Sequence, residues 1–294
     1  MRSSLIKLHI AVFLWGFTGV LGRLINLNEG LLVWYRLLIT ITALLIIAIK
    51  QKAFQVLSFK QILHLFIVGT IIALHWVCFY GSIKASNVSV CLTCLSSAGL
   101  FTAFLEPFML RTPFKLSEIM LSLLGIAGIC LIFHFDTKFR NGILIGMLAT
   151  LLSVIFSIFN KKLVVDIAPK TIMLYELLGG FLVLTLLMPF YLHYFPTSHL
   201  FPSKLDWVWL TIMSLVCTVL AMDLSLQALK KMSVFTQNLA LNLEPVYGII
   251  LAFVIYKEND DLSISFYLGF ALIASSVAFQ MYSMLKKKSL NGST

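Results

Sequence analysis

Apolar residues run along this chain in long blocks, and short polar stretches punctuate them. The blocks fall near 5–25, 30–49, 61–83, 88–110, 117–134, 141–160, 170–190, 206–228, 233–256 and 262–284. Each is close to the roughly 20 residues a helix needs to cross a hydrocarbon layer. Backbone groups inside a bilayer must be paired within their own segment, so the blocks predict helices rather than isolated strands. Ten such helices use about 200 of the 294 residues. That leaves about eight or nine residues for each connection and tail, too few for a folded domain outside the membrane. The pattern predicts an all-α polytopic protein.

Composition agrees with the pattern. Only 12% of the residues are charged and 60% are hydrophobic, whereas soluble domains carry about 25% charged residues. A soluble enzyme, a nucleic-acid binder and a receptor with an ectodomain are excluded. The net charge of +10 is explained by position. Fifteen bases (Arg2, Lys7, Lys50, Lys52, Lys60, Arg111, Lys115, Lys161, Lys162, Lys170, Lys230, Lys231 and Lys286–Lys288) fall on the side of the termini. Six (Arg23, Lys84, Lys138, Arg140, Lys204 and Lys257) fall on the other, and Arg36 lies inside a span. This asymmetry predicts both termini in the cytoplasm of a multi-pass cell-membrane protein, with Lys286–Lys288 suited to anionic lipid. The first block has no small-residue cleavage site and reads as a retained helix. All five cysteines sit in apolar blocks. Cys91 and Cys94 lack a second ligand pair at zinc spacing, so no metal or other cofactor is expected.

Cut near Arg140, the chain divides into two sets of five spans. Trp34-Tyr35-Arg36-Leu37-Leu38 opens span 2, and Leu174-Tyr175-Glu176-Leu177-Leu178 opens span 7. Five is odd, so the second set enters from the opposite face, which gives inverted repeats with a site expected near the midplane. The expected units are residues 1–137, 138–286 and a basic tail at 287–294.

The chain resembles the EamA branch of the drug/metabolite transporter superfamily. The resemblance rests on Leu14-Trp15-Gly16, on Trp34 to Leu38, and on His75-Trp76 through Phe79-Tyr80-Gly81-Ser82-Ile83-Lys84 to Ser89. It continues with Leu243-Glu244-Pro245-Val246, Lys257-Glu258 and Gly269. Span 4 departs from the pattern, with Ser97-Ala98-Gly99 where a proline is usual. The resemblance implies a basket of ten helices around a central cavity that carries small metabolites or drugs, often outward.

Ionisable groups inside hydrocarbon are costly, so each is a candidate site. Arg36 and Glu176 lie about six residues into their spans, from opposite faces, and could each gate one end of a cavity; a long arginine can also snorkel to the surface. His75 shares a face of span 3 with His64, with Trp76, Phe79 and Tyr80 around it. It suits an organic solute and proton-linked switching, or it is a packed histidine bonded to a neighbouring helix. In span 9, Asn238 and Asn242 form a stripe and Glu244 stands beside Pro245, which cannot donate a hydrogen bond and so frees a carbonyl. Thr93 and Ser97 in span 4 and Ser157 and Asn160 in span 6 form hydroxyl and amide stripes, and Trp15 is a further aromatic candidate. Asp223 in span 8 is expected to pair with Lys230 or Lys231.

The expected substrate cavity is therefore Trp15, His75, Trp76, Phe79, Tyr80, Thr93, Ser97, Ser157, Asn160, Asn238 and Asn242. The gating or coupling set is Arg36, Glu176, Glu244 and Pro245. These point to a secondary transporter of small organic metabolites, amino acids or drugs, working between lipid bilayer faces, with proton coupling open beside uniport. Two other readings stand beside it. One is a membrane enzyme acting on a lipid or isoprenoid head group, which would draw on the acidic run Glu258, Asp260, Asp261. The other is a structural or signalling membrane protein that moves no solute.

Overall fold

The computed structural model describes residues 2–51, 55–111, 113–114, 116–231, 240–241 and 243–291. The described residues contain no strand. The first half holds α1 (Arg2–Leu24), α2 (Glu29–Gln51), α3 (Phe59–Ala85), α4 (Val88–Leu95), α5 (Ala98–Leu110) and α6 (Leu116–Phe135). A short 3₁₀ turn at Thr137–Phe139 leads into α7 (Arg140–Leu163), α8 (Pro169–Tyr194), α9 (Lys204–Ser214), a π-helical segment (Leu215–Leu220) and α10 (Ala221–Lys231). After it come α11 (Leu243–Tyr256) and α12 (Ile264–Asn291). Seven stretches are long and apolar enough to cross a membrane, and three shorter apolar helices (Leu123–His134, Leu243–Tyr256 and Ile264–Ser276) accompany them.

Local chemistry sets several boundaries. Ser58 and Gln61 form a capping box that starts α3, and Ser203 and Asp206 form another that starts α9, each satisfying amides the helix leaves unpaired. Span 4 is expected to run unbroken over 88–110, but it is interrupted at Ser96–Ser97. The Ser96 hydroxyl donates to the Leu92 carbonyl at 3.1 Å, and the Ser97 hydroxyl donates to that of Cys94. Serine side chains that bond their own backbone compete with the helical ladder.

The two halves interlock. α1 packs on α10 and α11, α3 on α7 and α8, α4 on α7 and α11, and α6 on α12. The closest approach is between α3 and α8, where a Cβ on Gly69 would lie 1.7 Å from the Glu176 carbonyl oxygen. Only glycine permits that contact, as small residues do generally where membrane helices meet. The largest core cluster draws on both halves, from Leu32, Leu65, Tyr80 and Leu92 to Ile172, Leu177 and Leu210. Facing away from it are Ile49, Phe108, Leu186 and Val254, each more than 70% exposed, a surface suited to lipid rather than water.

Candidate functional site: a buried arginine between the halves

Arg36 projects from α2 into the contact between the halves and is only 2% exposed, so it does not snorkel. Its guanidinium lies 3.9 Å from the centre of the Trp76 ring, within cation–π range. Nη1 donates to the Tyr80 hydroxyl at 2.7 Å, and Nε donates to the Thr218 hydroxyl at 2.9 Å. Tyr80 in turn donates to the Met213 sulfur, and the Ser214 hydroxyl donates to the Arg36 carbonyl at 3.1 Å. α2 and α3 thus supply the cation, the aromatic wall and the Tyr80 acceptor, and the α9 to α10 stretch supplies the Thr218 acceptor and the Ser214 donor.

Thr218 lies in the π-helical segment, and its hydroxyl donates to the carbonyl of Met213, five residues back. Such single-turn insertions are rare and recur at functional sites. Nothing in the residue pattern of span 8 signalled it, so the acceptor for Arg36 Nε was missing from the sequence-based set.

Among the described residues Arg36 forms no ion pair, whereas Arg23 pairs with Glu258. The carboxylate that acts on Arg36 electrostatically is Glu244, from the first turn of α11 in the other half. Pro245 follows it and is buried.

The remaining candidates separate. His75 is 8% exposed, and its Nδ1 donates to the Ala149 carbonyl on α7 at 2.8 Å, so it ties α3 to α7. Phe79 is buried between His75 and Tyr80, with ring centroids at 6.0 and 5.1 Å. His64 is exposed at the other end of α3. Trp15 packs against the cluster of Leu8, Val12, Ala228 and Ala240. Thr93 lines a small apolar pocket between α4, α6, α7 and α12, and its hydroxyl donates to the Ser89 carbonyl at 2.7 Å. Ser97, as described, is bound to its own backbone and also reaches the Met147 sulfur on α7 at 3.6 Å, so both hydroxyls are engaged within the protein. Ser157 is partly buried on α7. Asn160 and Glu176 are buried beside one another, distant in sequence from the arginine cluster. Asn238 and Asn242 lie outside the described residues.

Two expectations about charged residues change. Asp223 accepts from Gln227 at 2.7 Å, and Gln227 accepts from Lys7 at 2.7 Å; Lys230 and Lys231 are exposed. Asp223 is thus bonded within α10, and the lysines that act on it are Lys170 of α8 and Lys7 of α1, which packs along α10. Glu258, read as part of an outer acidic run, is 1% exposed. It accepts from the backbone amides of Val88 (3.0 Å) and Ser89 (2.8 Å), from the Ser89 hydroxyl (2.6 Å) and from Arg23. The start of α4 leaves amides unpaired and carries a partial positive charge, and a buried start needs an anion. That need was the available signal.

A family model described as the EamA-like transporter family matches residues 2–134 and, a second time, residues 140–282. The chain belongs to this family. It is a multi-pass membrane protein of a family of transporters, with the family unit present twice. A solved crystal structure, described only as that of a protein, shares the fold with a TM-score of 0.66 over 94% of this chain and 96% of its own, at 13% identity. No curated protein sequence matches this EamA chain.

Proposed function

We propose that the protein is a secondary transporter that moves small organic metabolites, amino acids or drugs, outward, by alternating access. Residues 1–137 and 138–286 act as two inverted five-helix repeats that rock about a cavity near the midplane. The seven long spans and three shorter apolar helices coincide with the ten blocks of the sequence, which supports ten crossings. The excess of bases on one side supports cytoplasmic termini.

The observation that carries this reading is Arg36. A buried cation with neutral hydrogen-bond partners, a stacked indole and an acid across the interface suits an organic solute with an anionic or zwitterionic group and an apolar body. Trp76, Tyr80 and Phe79 supply the aromatic wall, Thr218 the neutral polar edge, and Glu244 the opposite charge. No nucleotide-binding loop occurs in the sequence, so the energy comes from the solute's own gradient or from a coupled proton. A membrane enzyme drawing on the outer acids loses support, because Glu258 is occupied by α4 and Arg23.

The test is reconstitution in liposomes loaded with labelled amphipathic and zwitterionic solutes. At least one crosses saturably with the wild type, and Arg36→Gln slows it more than tenfold. No crossing by any solute, or an unchanged rate with Arg36→Gln on every solute that crosses, overturns the reading.

A further inference from the structure

Glu176 and Asn160 place four polar atoms in the interior that the arginine cluster does not use. Glu176 is 0% exposed and Asn160 is 2% exposed. Neither carboxyl oxygen of Glu176 and neither amide atom of Asn160 lies within hydrogen-bond distance and angle of a described residue, and the Asn160 amide is near enough to act on the carboxyl as a donor. The two are neighbours, Glu176 on α8 and Asn160 near the end of α7, and the amide is the polar group that acts on the carboxyl. α3 closes over the same turn of α8, with Gly69 packed on the Glu176 backbone.

The elements around Glu176 bring charged and titratable groups, and each is otherwise engaged or turned away. On α3, His75 is bonded to Ala149, while His64, Lys60 and Lys84 are exposed. On α2, Arg36 is bonded to Tyr80 and Thr218, Glu29 is bonded to Tyr191, and Lys50 is exposed. On α10, Asp223 is bonded to Gln227, and Lys230 and Lys231 are exposed. On α8 itself, Lys170 acts on Asp223, and the polar group that acts on the Glu176 carboxyl is the neutral Asn160 amide. Among the described residues the carboxyl has the neutral Asn160 amide beside it and no cation bonded to it, and a neutral acid is the form such a buried setting tolerates.

We propose that Glu176, with Asn160 beside it, is a proton-binding site of the second half, and that it is loaded in this conformation. When the α3–α8 contact opens and water enters, the carboxyl O–H bond breaks and the proton passes to water. The carboxylate left behind accepts from the Asn160 amide. Glu176, rather than His75 or Glu244, then carries the proton of a coupled cycle. The coupling part of this inference rests on the transporter reading above; proton binding does not.

The test needs no substrate. Infrared difference spectra of the purified full chain in lipid nanodiscs are recorded as pH is stepped up and back. The wild type shows a protonated-carboxyl C=O band that falls reversibly as pH rises; Glu244→Gln keeps it and Glu176→Gln lacks it. A band unchanged in Glu176→Gln, or no reversible band in the wild type, overturns the assignment. So does a band displaced by sodium at fixed pH, which would make the site a metal-cation site. Transport without the band leaves the transporter reading intact and removes this one. The band without transport of any solute does the reverse.

Discussion

Gly128 and Gly269 meet face to face across the two halves of the chain. A Cβ on Gly128 would lie 2.5 Å from the Gly269 carbonyl oxygen, and a Cβ on Gly269 would lie 2.6 Å from that of Gly128. The contact is reciprocal, and the two residues lie on the helices, α6 and α12, that end the two matched family units.

The contact makes a stability prediction. Gly128→Ala forces α6 away from α12 against backbone, and overpacking of this sort costs about 1–3 kcal/mol. Gly125→Ala, on the same helix, meets only the Ser276 hydroxyl at 3.9 Å. It gains about 0.5–1 kcal/mol from helix propensity. Reversible unfolding in mixed micelles should therefore move the two variants in opposite directions. Equal stabilities would mean that α6 and α12 do not touch at Gly128.

Arg36 separates stability from function. Arg36→Met removes a buried cation that lacks a direct ion-pair partner and replaces it with an apolar chain of similar reach. Holding a cation out of water without a direct partner is costly, so removing it offsets the hydrogen bonds that are lost. The variant should unfold no more easily than the wild type and yet transport nothing. Thr218→Val keeps the cation and strands its Nε, at a cost of about 1–3 kcal/mol. In the Arg36→Met background the same Thr218→Val change should cost less, because only the bond to the Met213 carbonyl remains to be lost. Additive losses in that cycle would dissociate Thr218 from Arg36.

The length and order of the apolar blocks made the helices legible, because a bilayer leaves the backbone few alternatives. Arg36, Glu176 and Glu244 were also legible as costly charges in apolar segments. Their surroundings were not, because the partners come from the other half of the chain: Thr218 for Arg36, Ala149 for His75, and Lys7 with Gln227 near Asp223. The break at Ser96–Ser97 and the π turn around Thr218 depend on local hydrogen bonding that apolar periodicity does not encode. Glu258 was misplaced because a run of acids looks solvated until the helix start it serves is known.

His75 provides a test of contact against cavity. Its Nδ1 donor to Ala149 is reproduced by the side-chain amide of asparagine, which has no titratable proton in the working range. His75→Asn should keep most of the transport rate of the wild type and an unaltered pH profile. His75→Ala removes the bond and leaves a void, at a cost of about 2–4 kcal/mol. Loss of transport with His75→Asn at full stability would return the residue to the solute pathway.

At the far end of the molecule, Glu258 holds the start of α4 and Arg23 together, and the two contacts differ in weight. Arg23 is 40% exposed, and ion pairs this open to solvent are worth about 0–1 kcal/mol. The amides of Val88 and Ser89 are buried, and losing the acceptor of a helix start costs about 1–2 kcal/mol. Glu258→Ala should therefore speed hydrogen exchange of the amides at Val88 and Ser89 by about 5- to 30-fold, since each 1.4 kcal/mol is a factor of ten. Arg23→Gln should change it by less than about fivefold. Mass spectrometry of a peptide spanning residues 86–95 measures both. If Arg23→Gln exposed the amides as strongly as Glu258→Ala, the ion pair rather than the helix cap would hold this end closed, and α4 would owe its start to α1 instead of to Glu258.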